Sequence, residues 1–315
     1  MGATAGVLDT VSDVRSLSSR STASRPVHDT KVLVDPAFFD REYVINPHMA
    51  GSVDRERARE QWTRLKQVYE RRVDDVRVLD PRETARALDA DAPSRADAAP
   101  DPADRPDMAF VANHALATAD GEGFVLARMA TAERAGEPAH FRAWAEREGY
   151  RVLDAPRTVF EGMGDALWHP GRRLLWGGHG VRSDRAAYDE LAAALDATVV
   201  PLELTSEHYY HLDVSMAPLD EDTVLVQPDA FTDAALAKLD AVFDTLLEAP
   251  RDESSDDLAV NVEVIDDTVV LGAGLPDTAG LLEDAGFDVV TVDTSEFQKA
   301  GGSVCCLTLA AGTPA

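Results

Sequence analysis

The sequence predicts a single α/β domain assembled from five repeats. Along 315 residues the chain cycles through an apolar strand, a loop, a second strand and an amphipathic helix, with a period of about 45–60 residues. Each unit also places one polar cluster just after its first strand. A doubly wound parallel sheet is the alternative reading of such alternation, and it calls for a glycine fingerprint after an early strand. None is present: GGHGVR (177–182) follows a strand but lacks the spacing of a phosphate-binding loop.

The elements follow in order. The first unit runs from KVLVDPAFF (31–39) through YVINPHM (43–49) into the helix DRERAREQWTRLKQVYERR (54–72). Asp54 is its expected N-cap, and Ala58, Trp62, Leu65 and Tyr69 form a stripe at helical spacing. The second unit is DMAFVANHALAT (107–118), EGFVLARM (122–129) and a helix around PAHFRAWAEREG (138–149) that Gly149 ends. The third is RTVFEGMGDALWH (157–169), RRLLWGGHGVR (172–182) and the helix SDRAAYDELAAALD (183–196), with Ser183 as its expected cap. The fourth is YYHLDVSMAPL (209–219), DTVLVQPDAF (222–231) and TDAALAKLDAVFDTLLE (232–248), read as one helix with a Leu236, Leu239, Phe243, Leu246 stripe. The fifth runs LAVNVEVID (258–266), TVVLGAG (268–274), a short helix in DTAGLLEDAGF (277–287) and DVVTVDT (288–294). GGSVCCLTL (301–309) reads as a final strand. Residues 1–30 read as a poorly ordered Ser/Thr/Arg-rich leader. The catalytic domain spans 31–312, with an exposed, acidic, Pro/Ala-rich insertion at 89–107.

Composition bounds the function. The apolar share of 45% suits a packed globular core, and no run approaches the roughly 18 apolar residues of a membrane span. Thirty basic residues stand against 57 acidic ones, a net charge of −27. Such a surface is of the halophilic type, tolerable in molar salt because the Debye length there falls to about 3 Å. It argues against nucleic acid as a partner. No continuous apolar stretch with a cleavage site follows the start, and the two cysteines, Cys305 and Cys306, are adjacent and poorly placed to bridge each other. A reducing, cytoplasmic compartment is therefore expected. Neither a cofactor nor a metal is expected, since Cys-x-x-Cys and His-x-x-x-His spacings are missing.

The polar clusters are INPHM with Asn46, FVANHA with Asn113, FEGMGDAL with Glu161 and Asp165, YHLDVS with His211 and Asp213, and GGSVCCLT with Cys306. Taken in this order, FEGMGD, HLD and GGSVxCLT resemble the guanidine-modifying superfamily. That superfamily groups arginine deiminases, dimethylarginine dimethylaminohydrolases, arginine dihydrolases and amidinotransferases. The resemblance runs from about residue 31 to 310. It implies a five-bladed α/β propeller, the pentein fold, whose strand ends converge on one central pocket.

The chemistry explains why these residue types would meet. A guanidinium carbon is a poor electrophile unless carboxylates hold its charge, and Glu161 is the first candidate, with Asp213 and Asp165 close behind. A soft anionic nucleophile suits the attack, and a free thiol, with a pKa near 8.5, needs a neighbouring cation to ionise. The bound guanidinium or protonated His211 can supply that charge. By the resemblance, Cys306 is the nucleophile, because it precedes the hydroxyl of Thr308 by two positions, and His211 is acid and base. If the segment is a strand, adjacent side chains face opposite ways, so only one cysteine can face the pocket. Arg134 and Arg182 resemble the family's carboxylate-binding arginines. Asn113 stands where deiminases and dimethylarginine hydrolases usually carry an aspartate. Arginine dihydrolases carry asparagines there and in INPHM, so the nearest branch is the dihydrolase. The implied activity is hydrolysis of arginine or an N-methylated arginine through a Cys-linked amidino intermediate, with a small guanidino substrate as sole partner beyond a possible homodimer. Amidino transfer is the second enzymatic reading, and a non-catalytic propeller that only binds is the third.

Overall fold

The computed structural model describes residues 5–17, 23–26, 30–91 and 101–314. In chain order the strands are Gly6–Val7 (β1), Thr30–Val34 (β2), Asp75–Leu79 (β3), Ala115–Ala117 (β4), Gly123–Leu126 (β5), Arg151–Leu153 (β6), Ala166–Trp168 (β7) and Leu174–His179 (β8). They continue with Thr198–Glu203 (β9), Met216–Pro218 (β10), Thr223–Val226 (β11), Thr245–Glu248 (β12), Glu263–Ile265 (β13), Thr268–Gly272 (β14), Asp288–Val292 (β15) and Leu309–Ala311 (β16). These form five sheets of like topology: β16-β2-β3, β4-β5-β6, β7-β8-β9, β10-β11-β12 and β13-β14-β15. In each, an antiparallel pair is extended by a parallel third strand. A parallel neighbour needs a crossover, and a helix supplies it each time. The crossovers are Arg55–Tyr69, Glu137–Arg147, Ala187–Leu195, Asp233–Asp240 and Pro276–Asp284. The result is a five-bladed propeller.

Local chemistry accounts for much of this. Asp54 caps its helix by accepting from the amides of Glu56 and Arg57, both at 3.1 Å, and the Ala58, Trp62, Leu65, Tyr69 stripe is buried. Phe39 and Phe297 stack at 4.5 Å within the same apolar cluster. The ring closes when the last strand, β16, pairs antiparallel with β2, Leu309 opposite Val32.

Several expectations give way. The outermost strand of every blade follows the helix, so the unit is strand, strand, helix, strand. TDAALAKLDAVFDTLLE is therefore split: its helix ends at Asp240, and TLLE is β12, because the chain must return to the sheet. YVINPHM forms no strand and crosses the pocket as a loop. Ser183 caps nothing; the helix begins at Ala187 without a side-chain cap, and Ser183 Oγ is spent on Asp165. Of the leader, Gly6–Val7 pairs in parallel with β9 as a fourth strand, and the short helix Val11–Arg15 buries Val14. Within the insertion, 92–100 lies outside the described residues, while Pro102, Pro106 and Asp107 are buried rather than exposed. Among the described residues no helix is long and apolar enough to cross a membrane.

Candidate active site

The polar clusters do not follow the inner strands; they precede them. Tight 3-10 turns at Val111–Asn113, Gly162–Gly164 and Leu212–Val214 lead into β4, β7 and β10, and a turn at 304–307 leads into β16. Such turns leave peptide and side-chain groups pointing inward at the ring's axis. Asn113, Asp165, Asp213, Asn261 and Cys306 thus all lie within three residues of an inner strand, one per blade.

Cys306 is buried. Its thiol donates to Asp213 Oδ2 at 3.1 Å and accepts from Asn261 Nδ2 at 3.1 Å. Asn261 Oδ1 in turn accepts from the amides of Ser303 (3.1 Å) and Cys306 (3.2 Å), so one amide fixes both the turn and the sulfur. Burial first, and the Asp213 carboxylate second, push the thiol well above its ordinary range. Burial likewise raises Asp213 to about 6. The resting sulfur is therefore protonated, and it awaits a positive charge.

His211 shares the pocket with Cys306. Its Nε2–H donates to Glu161 Oε2 at 2.5 Å. Glu161 is fully buried and accepts two further hydrogen bonds, from the Ala130 amide at 2.8 Å on Oε1 and from Arg182 at 3.1 Å on Oε2, and it also feels the more distant field of Arg134. Burial alone would raise this carboxylate, but His211 and then Arg182 outweigh it and hold it well below the usual range. Arg182 also donates to Ile45 O at 2.7 Å and lies 5.2 Å over the Tyr210 ring.

The pocket's far wall holds a second charged set. Arg134 is buried between Glu137, which receives its Nε and Nη2, and Asn113 Oδ1 at 2.8 Å from Nη1. Asn113 Nδ2 points back to Glu161 O at 3.3 Å. Asp107 lines the same pocket, and burial raises it to about 7 even with Arg134 near. Two glycines make room for the amides. A Cβ on Gly164 would sit 2.2 Å from Asn113 Nδ2, and one on Gly301, at φ +90°, 2.5 Å from the Asn46 amide. Among the described residues no group of three or more His, Cys, Asp or Glu is placed to hold a metal ion.

No family model matches the chain. Individual proteins do. A dimethylarginine dimethylaminohydrolase of Mycobacterium tuberculosis is 36% identical over 281 residues, covering 88% of this chain and 84% of that protein. The bifunctional arginine dihydrolase/ornithine cyclodeaminase ArgZ of Synechocystis is 33% identical over 296 residues, 91% of this chain. The chain belongs to the family of dimethylarginine dimethylaminohydrolases and arginine dihydrolases. It spans only 38% of the length of the bifunctional Synechocystis protein. Against structures, the N-terminal domain of ArgZ, solved as a cysteine-to-serine variant bound to substrate, superposes with a TM-score of 0.79 at 32% identity. That match covers 90% of this chain and 98% of that domain. An asparagine-to-serine variant of the same domain, covalently bound to a reaction intermediate, matches equally well at 0.79 and 32%, with the same 90% and 98% coverage. A dimethylarginine dimethylaminohydrolase adduct at 20% identity shares the fold, with a TM-score of 0.67.

Within this family frame, the residues singled out from sequence fall into three groups. Cys306, His211, Asn113, Asn46, Arg134 and Arg182 line one pocket. Glu161 and Asp213 sit behind its wall, one bonded to His211 and the other to Cys306. Asp165 does not reach the pocket: its carboxylate accepts from Ser183 Oγ (2.6 Å), Ser183 N (3.2 Å) and Leu212 N (3.1 Å), joining two turns. Asn261, Asp107 and Tyr210 are absent from the set the sequence singles out. Asn261 was legible: it stands two residues before its inner strand in LAVNVEVID, as Asn113 does in FVANHA. The terminal strand hides it, because GGSVCCLTL belongs to the first blade rather than the fifth. The two cysteines do face apart, though not by strand alternation, since both lie in the turn before β16.

Proposed function

We propose that this protein hydrolyses the guanidino group of arginine through Cys306. The observation that carries the reading is the Cys306 sulfur, bonded to Asp213 and Asn261, in the same pocket as a His211 that Glu161 holds. A guanidinium entering the pocket offers N–H donors to Asp213 and brings positive charge against the sulfur. The thiol then ionises, its proton passing to His211. Sulfur adds to the guanidinium carbon, and the C–N bond breaks as His211 returns the proton to the departing nitrogen. Water, deprotonated by His211, adds to the amidino carbon, and the S–C bond breaks to restore the thiol. The balance is guanidinium plus water to ureido group plus ammonium.

Glu161 serves in this scheme chiefly as the group that orients His211, because both its oxygens are already engaged. Arg182 binds the substrate carboxylate after leaving Glu161, and Asp107 accepts the α-ammonium. Arg134 has most of its donors bound to Glu137 and Asn113, which makes it a positioning residue for Asn113. Asn113 and Asn46 leave the pocket floor without a second carboxylate, so a neutral ureido group can be held for another hydrolysis. That favours arginine dihydrolysis, in which a second attack of Cys306 and a second water release ammonia again and leave an Nδ-carboxylate that loses carbon dioxide to give ornithine. The 36% relative that acts on dimethylarginine supports the second reading, a single hydrolysis releasing dimethylamine. Cytosolic residence and a homodimer accompany the proposal, to be tested by cell fractionation and light scattering.

The test is incubation of the purified protein in high salt with arginine, monomethylarginine and dimethylarginine. Ornithine with two equivalents of ammonia supports dihydrolysis, and citrulline with dimethylamine supports the second reading. No turnover of any of the three, with Cys306→Ser indistinguishable from the native chain, overturns both.

A further inference from the structure

Asn261 enters the ring from the fifth blade, two residues before β13. It is fully buried behind the Cys306 sulfur, outside the residues that line the pocket. Its amide makes four hydrogen bonds. Oδ1 accepts from the backbone N–H groups of Ser303 (3.1 Å) and Cys306 (3.2 Å). Nδ2 donates to the Asp213 carbonyl at 3.1 Å and to Cys306 Sγ at 3.1 Å. The backbone partners have fixed roles, because a peptide N–H can only donate and a peptide carbonyl can only accept. The amide therefore has a single orientation, and in it the side turned to the sulfur is an N–H. Its donors and acceptors are all used, so nothing draws it away.

The sulfur changes charge during the reaction. In the resting site burial and then Asp213 raise the thiol, while the Ser303 and Asn261 amides oppose them. When the proton passes to His211, the hydrogen bond from Sγ to Asp213 Oδ2 is lost, and a thiolate faces that carboxylate. The Asn261 N–H stays in place. A hydrogen bond to an ionised acceptor is about twice as strong as one to a neutral acceptor. The bond from Asn261 therefore strengthens as charge forms on the sulfur, with no rearrangement of the protein.

We propose that Asn261 is a catalytic residue, the fixed N–H donor that stabilises the Cys306 thiolate. This rests on the hydrolase reading above. The donor acts at both ends of each hydrolysis. It stabilises the sulfur anion when S–H breaks and its proton goes to His211, before the S–C bond forms. It does so again when water, deprotonated by His211, adds to the amidino carbon and the S–C bond breaks with its electron pair returning to sulfur. By holding the Asp213 carbonyl as well, the same amide keeps the nucleophile in register with the carboxylate that grips the guanidinium.

Asn261→Asp and Asn261→Ala separate this role from that of holding the turn. The aspartate keeps two oxygens for the Ser303 and Cys306 amides but has no N–H to give. The alanine loses both functions and adds no charge. Iodoacetamide labelling, read at Cys306 by tandem mass spectrometry, should shift to higher pH by about one unit in both variants, a tenfold slower reaction below the midpoint. In both, kcat for arginine should fall about 10²-fold, the size of a lost oxyanion donor, with little change in KM, because Asn261 touches the sulfur and not the substrate. A native labelling profile in Asn261→Asp means that only the acceptor side of the amide matters, and it overturns the proposal even where the alanine variant fails to fold. A native profile in Asn261→Ala with native circular dichroism also overturns it, since the aspartate's charge then accounts for any shift. So does a rise in KM with kcat unchanged, which would place Asn261 in substrate binding. Labelling needs no substrate, so these outcomes are distinct from failure of the hydrolase reading, which falls if the native chain turns over neither arginine nor its methylated forms.

Discussion

Burial sets the chemistry of Cys306 before any substrate arrives. With Asp213 beside it, the thiol stays protonated at neutral pH, and the enzyme has no standing thiolate to lose to oxidants. Alkylation of Cys306 by iodoacetamide, followed by mass spectrometry, should stay slow at pH 7 and keep rising with pH through about 9, the ordinary thiol range. Fast labelling at pH 7 would contradict that placement. His211→Asn should lower kcat by roughly 10²–10⁴ with little change in KM, the usual size of a lost general acid–base. Asp107 carries a different lesson. Its folded pKa of about 7 lies above the ordinary carboxylate value near 3.9, so the native state holds the extra proton between them. Stability from this group is present below that window and is lost as pH rises to about 7. Asp107→Asn should thus melt higher than the native chain at pH 8, with the gap closing towards pH 4, while turnover of arginine falls. An equal gap at both pH values would show that Asp107 is not the titrating group.

At the scale of elements, the turns before the inner strands matter more than the strands. Gly164 lets the third blade's turn lie against the Asn113 amide. Gly164→Ala should displace that amide, dropping kcat at least tenfold while the circular dichroism spectrum is kept. Unchanged kinetics would mean Asn113 has room to yield. The leader contributes through packing. Val14 is fully buried among Trp176, Leu239 and Phe243, so Val14→Ala should cost about 2 kcal/mol in urea unfolding without altering KM. The helix cap at Asp54 is worth less, about 1 kcal/mol for Asp54→Ala.

Over the whole molecule, the charge of −27 works against compactness wherever salt is low. Thermal melts should rise steadily from about 0.1 M to molar KCl, as the Debye length falls from about 10 to 3 Å. A flat or falling Tm over that range would show the acidic surface to be energetically neutral. The ring itself depends on contacts between the chain's two ends: β16 against β2, and Tyr69 Oη 2.8 Å from Thr308 Oγ1 just past the cysteines. Folding of the reactive turn is therefore tied to closure of the propeller.

The sequence by itself determined the repeat, the crossover helices, and a set of residues that converge on one pocket. Periodicity and motif order report these directly, because each repeat solves the same burial problem with the same pattern. Only the tertiary structure decided which blade owns the last strand, and with it that Asn261 holds the Cys306 sulfur. It also decided that Asp165 ties turns together, that Glu161 stands behind His211, and that Asp107 emerges from an apparently exposed acidic run into the site. These are matters of which side of a wall a carboxylate faces. In a chain with 57 acidic residues, motifs single out Glu161, Asp165 and Asp213, but no one-dimensional signal says which wall each faces or finds Asp107. Burial and partners alone make that distinction, and both are properties of the closed ring.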